Sequence, residues 1–315
     1  MKSYLVTGGA GFIGSNIVEA LVRRGEMVKV IDNFITGKRE NLKPFLNDIE
    51  LVEGDIRDLD LMKRITKGVD YVLHQAAFRS VPKSVENPNL CNDINITGTL
   101  NVLIAAHNAK VKRVVYASSS AVYGDVKKFP QKEDFLPRPI SPYGVSKLAG
   151  EYYCKVFNAT FGLETVSLRY FNVFGPRQNP ESKYSAVIPA FISRMLEDRK
   201  PIVDGDGKQS RDFTYVSNVV EANLKAAAKK GISGQVINIA CGDSYAVLDI
   251  IKILNRLLHK DIKPIFNPPR RGDARKTQAD IKKLKNYLGI IPKVKFEEGL
   301  EKTLQWFRNN PFREI

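Results

Sequence analysis

A tyrosine and a lysine four residues apart, Tyr143 and Lys147 in Ser141-Pro-Tyr-Gly-Val-Ser-Lys147, have the clearest capacity for chemistry in this sequence. Ser141 suits a helix N-cap and Pro142 the first helical position, so the pair opens a helix and shares one face of it. A phenol titrates near pH 10, and serving as a base near pH 7 requires about three units, or about 4 kcal/mol, from its surroundings. An ammonium about 4 Å away supplies about 4 kcal/mol at an effective dielectric of about 20, so Lys147 has the right charge to activate Tyr143. Such pairs also occur on ordinary helices, with the aromatic packed inward and the lysine in water. The Ser118-Ser119-Ser120 run upstream, which supplies hydroxyls, separates this pair from those.

The elements that must position these groups can be read from the pattern around them. Ser3 to Thr7 is a short apolar strand running into Gly8-Gly-Ala-Gly11-Phe-Ile-Gly14, and the spacing of Ile13, Ile17, Val18, Leu21 and Val22 is helical. This is the strand, glycine turn and helix of a dinucleotide site. Gly11 lets backbone approach a pyrophosphate, Gly14 lets helix and strand pack closely, and the helix amino end favours negative charge. The next strand, Met27 to Ile31, ends at Asp32, where a carboxylate meets adenosine ribose hydroxyls and repels a 2′-phosphate. That favours NAD over NADP, although Lys38 and Arg39 lie nearby. Strands follow at 49–53 and 70–74 with a helix at 59–65 between them, and Asp55 and Ile56 could edge the adenine. A long helix is expected over Pro88 to Asn108, a strand over Val111 to Ser118, and the Tyr-Lys helix over Pro142 to Phe161. Alternating strands and helices predict an α/β fold, a doubly wound parallel sheet whose ligands lie at the carboxyl ends of the strands. Ser118 to Ser120 and Gln75-Ala76-Ala77 fall there.

Beyond Leu168-Arg-Tyr170 the pattern becomes irregular, with helices expected near Ile188–Leu196, Val219–Lys229, Leu248–Leu258 and through Leu300, Leu304 and Phe307, and a strand at Val236–Ala240. The expected division is a Rossmann unit of residues 1–170 and 213–240 and a smaller, discontinuous lobe of residues 171–212 and 241–315. At 315 residues with 43% hydrophobic and 9% aromatic content the chain can bury a large core. No apolar run is long enough to span a bilayer, and Met1-Lys2-Ser3 leads directly into the first strand without a signal-peptide succession, so a cytoplasmic protein is expected. Cys91, Cys154 and Cys241 are far apart, as are His74, His107 and His259, which fits a reducing compartment and argues against a disulfide framework or a metal site. The net charge of +15 is spread along the chain, with mild clustering at Lys282-Lys283-Leu-Lys285, and reads as a solvated surface with no nucleic-acid partner.

With these residues in view, the chain resembles the extended short-chain dehydrogenase/reductase superfamily over almost its full length. The carriers are Thr7-Gly-Gly-Ala-Gly-Phe-Ile-Gly14, Asn95-Ile-Thr-Gly-Thr99, Ser118-Ser-Ser-Ala-Val-Tyr-Gly124, Tyr143-Gly-Val-Ser-Lys147 and Arg169-Tyr-Phe-Asn-Val-Phe-Gly175, in the family's order. Within it, His74-Gln-Ala-Ala77 and Gly205-Asp-Gly-Lys-Gln-Ser-Arg-Asp212 look most like the nucleotide-sugar 4-epimerases. The resemblance implies Tyr143 as base on the sugar 4-hydroxyl, Lys147 as its activator and nicotinamide-ribose ligand, and Ser119 as the assisting hydroxyl with Ser120 beside it. For the cofactor, it implies NAD held by Gly8, Gly11, Phe12, Ile13, Gly14, Asp32, Asn33, Asp55, Ile56, Gln75, Ala76, Ala77, Asn95, Tyr143 and Lys147. For a UDP-sugar it implies Asn172 and Val187, with Arg211 and Arg270 on the phosphates and Asp273 on the uridine ribose; guanidinium forks suit phosphate oxygens. It also implies a homodimer formed through the helices beginning near Asn89 and Tyr143.

Related dehydratases carry an Asp-Glu pair where this chain has Ser120 and Ala121, so dehydration is disfavoured. Thr277 stands where glucose-specific relatives carry a bulky aromatic, leaving room for an N-acetyl group. Arg79 replaces the small residue of N-acetyl-specific relatives: turned inward it crowds the sugar or pairs with a uronate carboxylate, and turned outward it is an ordinary loop arginine. The leading expectation is therefore NAD-dependent C4 epimerisation of a UDP-hexose or UDP-N-acetylhexosamine. A UDP-uronate epimerase or decarboxylase is its same-fold alternative. A noncatalytic nucleic-acid-binding or scaffold protein is the alternative of another class, and the intact Ser119, Tyr143 and Lys147 set counts against it.

Overall fold

A parallel strand covered on both faces needs apolar side chains pointing both ways. β1 (Ser3–Thr7) has them: Tyr4 and Val6 enter one hydrophobic cluster and Leu5 the other. The structure is a computed structural model that describes residues 1–180, 186–269 and 275–310. After β1 come α1 (Phe12–Val22), β2 (Met27–Asp32), β3 (Ile49–Glu53), α2 (Leu59–Ile65) and β4 (Tyr71–His74). Next are α3 (Val81–Glu86), α4 (Pro88–Asn92), α5 (Gly98–Asn108), β5 (Arg113–Ser119), α6 (Pro142–Phe161) and β6 (Thr165–Tyr170). The irregular stretch holds β7 (Val173–Phe174), α7 (Val187–Leu196), β8 (Ile202–Asp204), β9 (Ser210–Arg211) and β10 (Thr214–Tyr215). The chain then continues through α8 (Val216–Ala228), β11 (Val236–Ile239), β12 (Tyr245–Ala246), α9 (Val247–Leu258), β13 (Ile265–Asn267), α10 (Lys282–Leu288) and α11 (Phe296–Asn309).

Seven strands form one sheet in the order β11-β6-β5-β4-β1-β2-β3, every pairing parallel. The order reverses between β1 and β4, and the crevice at their carboxyl ends is where an open α/β sheet binds ligands. α1 packs on α8 over one face, and α2, α5 and α6 pack on one another over the other. The short strands pair as β7 with β10, β9 with β12 and β8 with β13, outside the main sheet. The cluster containing Tyr4 and Val6 runs on without a break into Ile188, Phe191, Ile250, Leu254, Leu300 and Phe307, so the irregular second half is packed onto the sheet by one shared core.

The predicted elements return within a few residues; α10 and the short strands outside the main sheet are not among them, and two further differences bear on the site. The helix expected over 88–108 is divided by a wider π-helical turn at Asp93–Thr97, which belongs to neither α4 nor α5. That turn carries Asn95 inward, where its amide accepts from the Phe78 N–H at 2.6 Å and donates to the Phe78 carbonyl and to Ser146 Oγ. Local periodicity does not register such a side-chain clamp. The short α3, begun by a Ser80 cap on the Lys83 N–H, is the second difference.

Candidate active site

Gly8, at a φ of +68°, turns the chain out of β1, and a side chain there would meet the Ala76 backbone nitrogen at 2.7 Å. A Cβ on Gly14 would lie 2.1 Å from the Gly8 carbonyl oxygen. Only glycine fits either position, and the result is a bare backbone cradle between β1 and β4. α1 starts at Phe12 with Gly11 as its N-cap and no side chain capping it, so the positive helix end and the first-turn amides around Phe12 and Ile13 face the cradle. A pyrophosphate is the kind of group such an end accepts. Asp32 closes β2, 8% exposed, its carboxylate accepting the N–H groups of Ala10 and Phe34 at 2.9 Å each. Burial raises its pKa and those two bonds lower it. Beyond it, Asn33 donates to Asp55 at 2.9 Å, and the Arg57 guanidinium holds the Asp55 carboxyl down at about 2. Ile56 is buried against Gly98, where a Cβ would collide with its Cδ1 at 2.6 Å. These features fit a dinucleotide with a free adenosine ribose.

Not every residue predicted for the cofactor offers its side chain. Gln75 is bonded to Asn223 and Tyr170, and the Ala76 N–H donates to Thr7 Oγ1. Asn95 is buried and wholly engaged in the Phe78 and Ser146 clamp. Gln75 and Asn95 therefore shape the Gln75–Ala77 loop from behind.

At the carboxyl end of β5 the second set converges. Ser141 Oγ accepts the Gly144 N–H at 3.1 Å and the Tyr143 N–H reaches Ser84 Oγ at 3.2 Å, which fixes the start of α6. The Ser119 side chain bears on the Tyr143 phenol and lowers its pKa. Lys147, 3% exposed, donates to the Ala117 carbonyl at 2.8 Å with its ammonium 5.9 Å from the centre of the Tyr143 ring. Burial brings Lys147 down to about 8. Burial raises the Tyr143 pKa, and the Ser119 side chain and the charge of Arg79 act against it. The Lys147 ammonium lies beside this phenol while bonded to the Ala117 carbonyl, and Arg79 is a second cation bearing on it. Arg79 is exposed to solvent; burial lowers its pKa and the Tyr143 phenol opposes that lowering. Ser120 follows in a short 3-10 turn capped by Ser119.

The remaining candidates gather in the second half. A cavity of about 240 Å³ is lined by Asn172, Val187 and Arg211 together with Phe191, Asp204 and Phe213. Asn172, at a φ of +34°, donates to the Asp212 carbonyl and to Thr277 Oγ1, both at 3.1 Å. Asp212, fully buried, accepts the N–H groups of Cys241, Gly242 and Ala279, and burial pushes it up to about 7 against their pull. Thr277 is thus part of the cavity's stitching as well as small. Tyr143 and Ser119 do not line this cavity; Ser119 pairs in register with Tyr170, two residues before Asn172, so β5 and β6 join the two parts. Arg270 and Asp273 lie outside the described residues. Sequence reasoning missed Asp212, Ser118 and the buried Glu151–Arg169 pair; the available signal was Glu151 standing four residues after Lys147.

A glycine cradle at the β1/β4 switch point and a Tyr-Lys helix facing a serine at the end of β5 define a dinucleotide-dependent enzyme of the short-chain dehydrogenase/reductase kind. A family model described as the NAD dependent epimerase/dehydratase family matches residues 4–240, and the chain belongs to that family. It is 41% identical over 308 residues to a "Putative UDP-glucose 4-epimerase" of Methanocaldococcus jannaschii, covering 97% of this chain and 98% of that one. Among solved structures it is similar to a UDP-N-acetylglucosamine 4-epimerase of Methanobrevibacter ruminantium in complex with UDP-N-acetylmuramic acid, at 43% identity and a TM-score of 0.94, covering 98% and 99% of the two chains. It is likewise similar to the Thermus thermophilus UDP-glucose 4-epimerase in complex with NAD, at 38% identity and a TM-score of 0.90, covering 98% and 99%.

Proposed function

We propose that this chain inverts the C4 hydroxyl of a UDP-sugar, of the glucose/galactose or N-acetylglucosamine/N-acetylgalactosamine type, through a transient 4-keto sugar and with NAD as cofactor. The observation that carries the reading is Lys147, bonded to the Ala117 carbonyl beside the Tyr143 ring, with Ser119 at the carboxyl end of β5 and next to them a cradle only glycine can form. When bound, NAD supplies the ring that takes up a hydride from the sugar and returns it. Tyr143 takes the proton of the 4-hydroxyl and gives it back, and Ser119 holds that hydroxyl in line. Lys147 keeps a positive charge near the phenol, while Gly8, Gly11 and Gly14 leave the backbone open to the pyrophosphate and Asp32 receives the ribose. Asn172, Val187 and Arg211 hold the nucleotide portion, as would Arg270 and Asp273. The proton is restored and no net redox change occurs, so NAD need not leave between turnovers. Residues 1–170 and 213–240 act as the cofactor unit, and 171–212 with 241–315 as the sugar-nucleotide lobe.

Arg79 favours a second reading, in which the sugar carries a carboxylate: a guanidinium bearing on Tyr143 has the charge and fork to bind one. Thr277 pulls toward an N-acetylated sugar. One experiment separates these. Purified protein, without added cofactor, is incubated with UDP-glucose, UDP-N-acetylglucosamine and UDP-N-acetylglucosaminuronate separately, and C4 epimers are resolved by proton NMR. Epimer formation supports the reading, the preferred sugar identifies what Arg79 and Thr277 select, and no reaction even with NAD supplied sinks it.

Gly14→Ala probes the cradle. Its methyl group meets the Gly8 carbonyl, so the variant is expected to lose copurified NAD and about 1–3 kcal/mol of stability through overpacking. A variant with wild-type melting and a full complement of NAD, measured after acid release, contradicts the assignment.

The assembly we propose is a homodimer. Val145, Tyr152 and Val156 form an exposed apolar stripe on one face of α6, opposite the face that packs on the sheet. Light scattering is expected to give twice the 35.3 kDa chain mass, and a monomer mass overturns the proposal. A cytoplasmic location belongs to the same reading: the three cysteines are buried and unpaired, and among the described residues no helix is long and apolar enough to cross a membrane.

A further inference from the structure

The Glu151–Arg169 ion pair lies directly behind the catalytic residues, both side chains 3% exposed. Arg169 Nε and Nη2 each donate to one oxygen of the Glu151 carboxylate at 2.8 Å. The same carboxylate accepts from Ser118 Oγ. Glu151 sits on α6, Ser118 on β5 and Arg169 on β6, where Ser118 and Arg169 are register partners. One carboxylate therefore joins three elements.

α6 meets three consecutive residues of β5. Tyr143, Lys147 and Glu151 follow at four-residue intervals on one helix face. Lys147 grips the Ala117 carbonyl, Glu151 grips Ser118, and Tyr143 meets Ser119. Two hydrogen bonds thus fix α6 to Ala117 and Ser118, the residues immediately before Ser119, and so hold the turn that carries Tyr143 opposite Ser119. A stability role alone accounts poorly for this arrangement, because a buried ion pair is often no better for stability than apolar side chains of similar volume.

We propose that Glu151 is a positioning residue that, through Ser118 and Arg169, sets the register of α6 on β5 and so holds the Tyr143 and Ser119 hydroxyls at reacting distance. It touches neither sugar nor cofactor, and its removal acts on turnover and leaves binding intact. The inference rests on the epimerase reading, and wild-type protein measured alongside distinguishes the two: if wild type does not epimerise, the function fails, whereas the variants below test only Glu151.

Glu151→Gln is expected to lower kcat about 100-fold, the scale set by a misplacement of about 1 Å, with KM for the UDP-sugar and copurified NAD within about two-fold of wild type. Glu151→Gln also leaves the Arg169 charge buried without a counter-ion, so folding could suffer. Two further variants keep the test decisive. The paired Glu151→Leu, Arg169→Met change removes both charges and is expected to fold but to keep the low kcat. Ser118→Ala leaves the ion pair whole and is expected to lower kcat about 10-fold, the equivalent of about 1.4 kcal/mol and within the range of one lost hydrogen bond acting on geometry. Glu151→Asp, which retains the carboxylate, should recover part of the rate. Folded variants with wild-type kcat, or a rise in KM at unchanged kcat, overturn the proposal.

Discussion

Tyr143→Phe is expected to lower kcat by about 10³- to 10⁴-fold, toward the upper end of what a positioned general base contributes. The change deletes one oxygen atom. The ring remains in place 5.9 Å from the Lys147 ammonium, and the Lys147 bond to the Ala117 carbonyl is untouched. Loss of the phenol oxygen beside Ser119 costs about 1 kcal/mol of stability at most. The variant should therefore fold, retain NAD and bind UDP-sugar, and fail only in turnover. Burial raises the phenol's pKa, and Ser119 and Arg79 oppose that. Proton NMR of UDP-sugar epimers against time, with calorimetric binding of UDP as control, checks it. Turnover within about ten-fold of wild type would place the base elsewhere.

The second large effect is on stability at acid pH and comes from His74. Its ring is buried between two threonines, Nδ1 at 2.7 Å from Thr7 Oγ1 and Nε2 at 3.0 Å from Thr99 Oγ1. Burial, with a smaller contribution from the Lys147 charge, brings its pKa down to about 3. The unfolded chain takes up a proton on this ring below about pH 6.5, while the folded chain stays neutral until about pH 3. Between those values the unfolded state binds more protons, so stability falls as pH falls, by about 1.4 kcal/mol per unit, and is fully present above about pH 6.5. At pH 5 the loss from this residue is about 2 kcal/mol. His74→Gln keeps groups that can bond both threonines and removes the titration. Urea unfolding at pH 7.5 and pH 5 should show the wild type losing about 2 kcal/mol more than the variant across that interval. Comparing the two proteins cancels other titrations, including that of the buried Asp212. Equal losses would show that the ring is protonated in the folded state.

Both predictions concern residues whose type is visible in the sequence and whose environment is not. Tyr143, Lys147 and the glycines of the first turn lie within short motifs, and helix caps and hydrophobic periodicity act over a few residues, so Ser3–Thr7, Leu59–Ile65 and Pro142–Phe161 emerge at their observed bounds. The division of the 88–108 helix does not emerge, because the clamp of Asn95 on Phe78 spans 17 residues and is made only when β4 and α6 are in place. The same is true of Asp212, whose three N–H donors come from Cys241, Gly242 and Ala279.

By itself, then, the sequence determined the alternation of strand and helix, the glycine cradle, the Tyr-Lys pair and the serine that faces it, since each is set by local spacing or by a conformation only one residue type adopts. Tertiary structure alone decided where the charges point. Lys147 turns to a carbonyl of β5 and Glu151 bridges β5 and β6, because each buried charge takes the partner that folding brings nearest once water has been removed from it.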